Sequence, residues 1–309
     1  MKNWLIKFNP DFIFINPDKE ETILFAIKIA NFLDCKIIIH VMDDKVNKRY
    51  QGIIGYYDKR KFKYVFSKIV HQANVCLSIS EKMAVEYYKK YKKVFYSFHN
   101  PININDWNQH IKNNWDLNNE IKIVYSGFIG STIKPILEFC EAIKQLNEEN
   151  FKIKLILYSK FNSHFIVQSL KKYSFIEFND YVLQSMLPKV LTSADFLFLP
   201  LSFEKEAKYT KLSMPTKTAE YMISGVPVIL YAPTETALAE YAKKGNWAYL
   251  VTSNKTNNLK SALKILITER QVRTDIAKNA VLLAKKNHDI LQSQKEFMKI
   301  LMSDYKTNA

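Results

Sequence analysis

A short segment at residues 215–230, PTKTAEYMISGVPVIL, combines a lysine, a threonine and a glutamate at the start of a predicted helix of about ten residues. Thr216 is a favourable N-cap, and the first turn of a helix leaves N–H groups free to bind an anion. Lys217 adds a positive charge there, and Glu220 can accept hydrogen bonds one turn later. Together these groups suit a nucleotide diphosphate, whose ribose needs an acceptor. A surface helix with Lys217 and Glu220 in water is equally compatible with these residue types.

A second candidate binding element is the loop in VYSGFIGS at residues 124–131. A predicted strand ends there, and Gly127 and Gly130 permit a tight turn whose amides can approach a phosphate or a sugar closely. The spacing is not the GxGxxG of dinucleotide-binding proteins, and a turn of this kind also occurs without any ligand.

A third group of polar residues follows the predicted strand CKIIIHV. His40 lies near the end of that strand, and Asp43 and Asp44 come just after it. Because ligands bind at the carboxyl ends of parallel strands, His40 is a candidate catalytic residue and the two aspartates are candidate acceptor-side residues. A core histidine bonded to the backbone is an equal alternative. The six histidines form no HxH or HExxH pattern and MDDK is not DxD, so no metal site is predicted.

Strand-like and helical segments alternate along the whole chain, with a polar interval at 103–119. This alternation predicts an α/β fold with parallel sheets and helices on both faces. We expect two Rossmann-like, doubly wound domains facing a cleft. The expected division is a first domain at 1–102, a linker at 103–119, a second domain at 120–286 and a C-terminal helix at 287–309, for which the first domain is a candidate packing surface.

The composition is that of a soluble globular protein with a formal net charge of +15. Of its 45 basic residues, 41 are lysines, whereas nucleic-acid readers favour arginine, so nucleic acid is not an expected partner. The run YYKKYKK at 87–93 mixes lysines with aromatic residues and makes an anionic membrane surface a candidate partner, with a solvated helix end as the alternative. Three cysteines without CxxC and no signal-peptide pattern favour the cytoplasm, including the inner face of the membrane.

The order of several motifs resembles that of the family-four glycosyltransferases and their GT-B relatives. Pro-Thr-Lys, two residues and Glu-Tyr, with Gly-x-Pro-Val downstream, resemble the donor-site signature of that family. VYSGFIG is similar to its glycine loop. The segments at 78–103 and 181–205 resemble further parts of both domains, and the resemblance extends from about residue 11 to 289.

The resemblance implies an enzyme that moves a sugar from a nucleotide-sugar donor to a glycan or lipid-linked acceptor, in cell-surface polysaccharide synthesis. Glu220 matches the residue that binds the ribose, Lys217 the one facing the diphosphate, and Gly127 and Gly130 belong to the loop facing the donor. Lys160 is a looser match to a further phosphate or base contact. The family also implies retention at the sugar carbon, and neither a metal nor another cofactor is expected.

Two features depart from the family. Leu212 stands where a second glutamate often binds the donor hexose, so that contact would come from a neighbour such as Lys211 or Ser213. The half before the hinge is only about 100 residues long and lacks the usual first strand and glycine loop, so the first domain is predicted to be incomplete. Two alternatives therefore stand: a non-catalytic or partner-dependent binding subunit, and a sugar-nucleotide epimerase of similar fold.

Overall fold

The computed structural model describes residues 2–47, 52–161, 163–204 and 210–306, without the side-chain surroundings of 52–54 and 303–306. The chain divides into two compact units, and the first is assembled from three separate stretches. It comprises Met1–Asn100, Lys208–Met214 and Ser293–Ala309, and the second comprises Pro101–Ala207 and Pro215–Gln292. None of the described helices is long and apolar enough to span a bilayer.

The first unit contains a parallel sheet in the order β1-β2-β3-β4. These strands are Phe12–Ile15, Lys36–Val41, Val75–Ser78 and Tyr96–Ser97. Its helices are α1 at Lys2–Phe8, α2 at Glu20–Leu33, α3 at Gly52–Gln72 and α4 at Glu81–Tyr91. Among the described strands of this unit the order is sequential, without a reversal.

The second unit contains a parallel sheet in the order β10-β9-β8-β5-β6-β7. These strands are β5 at Ile121–Ser126, β6 at Ile153–Tyr158, β7 at Ile176–Asn179, β8 at Phe196–Pro200, β9 at Val228–Tyr231 and β10 at Tyr249–Val251. The order reverses between β5 and β8, as in a doubly wound sheet, and ligands bind beside such a reversal at the carboxyl ends of the strands.

Helices connect the strands of the second sheet, as the alternating pattern predicts. They are α5 at Ile133–Glu148, α6 at His164–Lys171, α7 at Leu187–Thr192, α8 at Lys217–Ile223, α9 at Ala237–Gly245, α10 at Thr256–Thr268 and α11 at Arg270–Asn287. Strand β8 is buried along its entire length, and its Phe198 stacks on Phe139 of α5 with ring centroids 3.8 Å apart. Burial on both faces explains why these strands read as continuous apolar runs.

The final helix α12, at Ile290–Lys306, lies mostly in the first unit. Its Phe297 meets Phe14 of β1 and Phe98 edge to face, with centroid distances of 6.1 and 5.9 Å. Helices α11 and α12 are separate elements. The break occurs because the backbone at His288 and Ile290 pairs with Ile102.

The segment at 103–119 differs from the expected linker, because it packs within the second unit. Trp107 is only 3% exposed. The indole N–H of Trp115 donates to the carbonyl of Gly225 at 2.8 Å, and the amide of Lys112 donates to the carbonyl of Ser224 at 2.9 Å. These bonds attach the segment to the end of α8.

Candidate functional site

Lys217 lies at the first position of α8, with its ammonium directed at an aromatic ring. Its Nζ is 4.1 Å from the ring centroid of Tyr125, which ends the buried part of β5. The part of the chain that the structure describes offers this ammonium no carboxylate within 4.0 Å and no hydrogen-bond acceptor. Burial lowers the pKa of Lys217 to about 8, against a smaller opposite effect of Glu220. Lys217 is therefore a desolvated cation that lacks a close anion.

Gly127 follows β5 and leaves space for the Lys217 side chain. Its φ of +134° is one that residues with a Cβ rarely adopt, and an added Cβ would collide with the Nζ of Lys217 and lie 3.0 Å from its Cε. The Gly127 amide donates to the carbonyl of Tyr158 at 2.9 Å, which fixes the loop to the end of β6. At Gly130 the three atoms nearest to an added Cβ all belong to the ring of Phe128, which is 75% exposed. The geometry thus requires glycine at 127 far more strictly than at 130.

Glu220 lies one turn after Lys217 and is held from another part of the unit. Its Oε1 accepts a hydrogen bond from Nε2 of Gln184 at 2.9 Å, and its Oε2 has no donor among the described residues. Burial raises the pKa of Glu220, while Gln184 and Lys217 act in the opposite direction. Glu220 can accept a further hydrogen bond through the second oxygen.

Tyr221 connects α8 to the glycine loop. Its hydroxyl lies at the end of a fully buried ring and accepts a hydrogen bond from the amide of Ser126 at 2.9 Å. The hydroxyl of Tyr125 in turn donates to the carbonyl of Phe128 at 2.7 Å. Lys217, Glu220 and the loop after β5 are therefore brought together at the strand reversal.

Sequence reasoning missed Tyr125, Gln184 and Tyr221. Of these, Tyr221 alone had a signal, as the tyrosine of the Glu-Tyr pair.

Thr216 is not the side-chain cap that the sequence predicts. Its φ and ψ of −55° and −38° are helical, and its hydroxyl makes no capping hydrogen bond. A capping side chain reaches back to the first-turn amides from an extended backbone, which Thr216 lacks. The amide of Thr218 instead donates to the carbonyl of Pro215 at 3.0 Å. Helix α8 has seven residues rather than about ten.

Gly225 ends α8 as predicted, with a φ of +70°. An added Cβ would lie 2.6 Å from the carbonyl oxygen of Lys112. Both the left-handed backbone and the close approach of the 103–119 segment therefore require glycine here.

Lys160 is exposed two residues after β6, in the region where the sequence predicts a further donor contact. Its Nζ is 5.8 Å from the ring centroid of Tyr181. Lys160 follows two residues after Tyr158, whose carbonyl accepts a hydrogen bond from the amide of Gly127 in the glycine loop. A contact between Lys160 and a donor stays a prediction.

His40 lies in the buried strand β2 of the first unit and is 6% exposed. Its Nε2 donates to the carbonyl of Phe98 at 3.2 Å, and the rings of Phe14 and Phe98 meet it edge to face. Burial lowers its pKa, against the effect of the bond to Phe98. This is the environment of the core histidine that the sequence also allows, and a catalytic role of His40 stays a prediction.

Asp43 and Asp44 have different surroundings. Asp44 is 2% exposed, and its two oxygens accept from the hydroxyl of Tyr87 at 2.9 Å and from Nδ2 of Asn47 at 2.7 Å. Both oxygens of Asp44 are therefore engaged inside the unit, and an acceptor-side role of Asp43 and Asp44 stays a prediction. Asp43 is half exposed and accepts from Ser213 Oγ at 3.1 Å.

Leu212, at the position of the family's hexose-binding glutamate, is buried in the first unit. Its carbonyl accepts a hydrogen bond from Oγ of Ser80 at 2.7 Å.

Lys205, the last residue of the motif at 181–205, lies outside the described residues. Among those residues no three His, Cys, Asp or Glu side chains cluster as metal ligands, and the absence of a metal requirement stays a prediction.

Comparison with known proteins finds a family model that matches part of the chain. Residues 120–269 match the family described as glycosyl transferases group 1. No protein of curated function matches the sequence significantly.

Solved structures similar to this chain extend over nearly its full length. HepE from Anabaena in complex with UDP and glucose has a TM-score of 0.73 at 14% identity, over 98% of this chain and 80% of its own. Sucrose-phosphate synthase from Thermosynechococcus elongatus has a TM-score of 0.76 at 12% identity, over 99% and 76%. A structure from Listeria monocytogenes, named as a candidate UDP-N-acetylglucosamine 2-epimerase, has a TM-score of 0.63 at 11% identity, over 99% and 77%.

These likenesses confirm the α/β fold with parallel sheets and its similarity to the GT-B glycosyltransferases. The residues that surround Lys217, from the loop after β5 to α8, all lie inside the matched range. Residues 120–269 are thus similar to the glycosyl transferases group 1 family, in a chain with the fold of GT-B glycosyltransferases.

Proposed function

We propose that this protein transfers a sugar from a nucleotide-diphosphate sugar to a glycan or lipid-linked acceptor, in the synthesis of a cell-surface polysaccharide. The transfer retains the configuration at the sugar carbon and uses no metal ion. The protein acts in the cytoplasm, at the inner face of the membrane. UDP is the nucleotide to test first, because the similar HepE structure contains UDP and glucose.

The observation that carries this proposal is the ammonium of Lys217. It lies between the Tyr125 ring and the space left by Gly127, with no carboxylate within 4.0 Å in the described part of the chain. A partly buried cation without an anion is unfavourable unless a ligand supplies the negative charge. A diphosphate at the end of β5 supplies that charge, and its retention on Lys217 stabilises it as a leaving group.

Glu220 complements this contact. Gln184 holds one carboxylate oxygen, so the other can accept hydrogen bonds from the two ribose hydroxyls. The three-residue spacing places Lys217 and Glu220 on adjoining parts of one helix surface, which suits neighbouring parts of one nucleotide. Gly127 and Gly130 line the donor in this proposal, and Lys160 provides a further contact near the base or the phosphate.

The test is UDP binding and UDP release from UDP-glucose and UDP-N-acetylglucosamine, with wild type, Glu220→Ala and the control Glu235→Ala. Glu235 is an exposed carboxylate in the same unit. We expect Glu220→Ala to weaken UDP binding by about 10- to 100-fold, since it removes charged hydrogen bonds, and Glu235→Ala to bind as wild type does. Equal and negligible binding by wild type and Glu220→Ala would refute the proposal.

The products separate this function from its two alternatives. A transferase releases UDP and forms a new glycosidic bond when an acceptor is added. Epimerised donor would identify a sugar-nucleotide epimerase instead. Donor binding with no turnover for any acceptor preparation would identify a binding subunit.

A further inference from the structure

Helix α3 of the first unit presents three tyrosines and several cations to solvent. Its apolar side chains, among them Phe62, Phe66 and Ile69, recur at helical spacing and are buried. On the remaining surface Tyr56, Tyr57 and Tyr64 are 64%, 67% and 72% exposed. Lysines and one arginine surround them, at positions 59, 60, 61, 63 and 68.

The positive charge of the chain is concentrated here. Residues 52–93 contain ten lysines and arginines but only three acidic residues. Lys61 pairs with Glu20, and Lys89 pairs with Glu86. Within the described ranges, Lys59, Arg60, Lys63 and Lys90 have no carboxylate within 4.0 Å. A general abundance of lysine does not explain such a local excess.

Helix α4 packs beside α3 and brings Lys90 close to the cations of that helix. Burial lowers the pKa of Lys90, and the charges of Lys63 and Lys59 lower it further, against Asp44. Like charges held together are unfavourable in the isolated protein and become favourable beside a surface of many negative charges.

We propose that these two helices dock on an anionic lipid bilayer. The docking surface is the basic tyrosine face, defined here by Tyr56, Tyr57, Lys59, Arg60, Lys63, Tyr64 and Lys90. Tyrosine suits the boundary between lipid headgroups and acyl chains, and clustered lysines are attracted to anionic lipid. Nucleic acid fits less well, because the face has a single arginine for bidentate contacts. Vesicle binding needs no donor, so this inference stands or falls independently of the proposed activity.

The test is co-sedimentation of the full chain with vesicles of phosphatidylcholine alone or with about one third phosphatidylglycerol. One variant combines Lys59→Gln, Arg60→Gln, Lys63→Gln and Lys90→Gln. Its control removes the same charge from exposed lysines of the second unit that have no ion pair with any described residue, by Lys152→Gln, Lys171→Gln, Lys243→Gln and Lys285→Gln. We expect wild type to bind only the anionic vesicles. The partition coefficient should fall at least about 50-fold in the first variant and less than about 3-fold in the control.

A second variant tests the tyrosines without removing charge. The double variant Tyr57→Ser, Tyr64→Ser changes only exposed side chains, so we expect it to fold. It therefore keeps the proposal testable even if the quadruple variant is unstable. We expect it to weaken vesicle binding about tenfold, and Phe165→Ser, an exposed aromatic of the second unit, to leave it unchanged. Equal losses in variant and control would overturn the proposal. So would binding to neutral vesicles as tight as to anionic ones, or tighter binding to a 20-nucleotide RNA than to the anionic vesicles.

Discussion

At the scale of single residues, the protonation of Lys217 should control donor binding. Its pKa of about 8 makes the ammonium about 90% charged at pH 7 and about 10% charged at pH 9. Tyr125 beside it has its pKa raised to about 12 by burial and stays neutral over this range. We therefore expect UDP affinity to fall about tenfold between pH 7 and pH 9. Isothermal titration with UDP at several pH values in that range measures the affinity. An affinity that does not change with pH in wild type would contradict the role of Lys217 in donor binding.

The same lysine should lower the stability of the free protein. Its native pKa lies below the ordinary value of 10.5, so the folded state holds this proton less tightly than the unfolded state. The destabilisation is complete below pH 8 and disappears as the pH rises toward 10.5. We expect Lys217→Met to raise the free energy of unfolding at pH 7 by about 1–3 kcal/mol, and by less at pH 10. Urea unfolding at the two pH values tests this, and a loss of stability at pH 7 would oppose it.

Gly127 and Gly130 offer a matched pair of substitutions in one loop. An alanine Cβ at 127 collides with the Lys217 ammonium at a φ of +134°, whereas at 130 its nearest contacts are with the exposed ring of Phe128. We expect Gly127→Ala to weaken UDP binding at least about tenfold, because Lys217 must move, and Gly130→Ala to change it less than about threefold. Comparable losses in both variants would show that Lys217 does not set the requirement.

The candidate site was only partly predictable at this scale. Lys217, Glu220 and Gly127 have types and spacing that indicate a nucleotide. Gln184 and Tyr125 carry no such signal, because their contacts join residues 36 and 92 positions away along the chain. Asp44 has the right type in the right place for an acceptor contact, but its hydrogen bonds to Tyr87 and Asn47 depend on packing that no local pattern reveals.

At the scale of elements, the segment at 103–119 should stabilise α8. The approach of the Lys112 carbonyl and the φ of +70° exclude a side chain at Gly225. We expect Gly225→Ala to lower the free energy of unfolding by about 2 kcal/mol or more. Gly130→Ala, at an ordinary φ, is the control and should cost less than about 1 kcal/mol. Equal values from urea unfolding would mean that the segment does not constrain the end of α8.

The alternation of strands and helices predicts most elements, because apolar runs flanked by Gly and Pro mark buried strands. The alternation predicts the ends of elements less well where hydrogen bonds between distant residues determine them. The pairing of Ile102 with Asp289 separates α11 from α12, and no local pattern reveals this contact. Helix α1 has no buried residue and therefore gives no amphipathic signal toward a core.

At the scale of the whole molecule, the parallel α/β fold follows from the sequence, which also offers the first domain as a packing surface for the C-terminal helix. The inclusion of the segment before Pro215 in the first unit does not follow from the sequence. Residues 208–214 and 293–309 join the first unit through contacts with residues far away in sequence, such as the Ser80–Leu212 bond. The first sheet keeps a sequential strand order, so the reversal that positions a ligand is found in the second sheet. The net charge describes the whole chain, and only the structure shows that unpaired cations surround the exposed tyrosines of α3 within the described residues.

The central claim is that Lys217 receives the diphosphate of a nucleotide-sugar. Isothermal titration with UDP at pH 7 tests it most directly, with wild type, Lys217→Met and the control Lys189→Met, an exposed lysine of the same unit. Loss of a charge-assisted contact predicts UDP binding at least about 30-fold weaker in Lys217→Met, and unchanged binding in Lys189→Met. Equal UDP affinity of Lys217→Met and wild type would contradict the account.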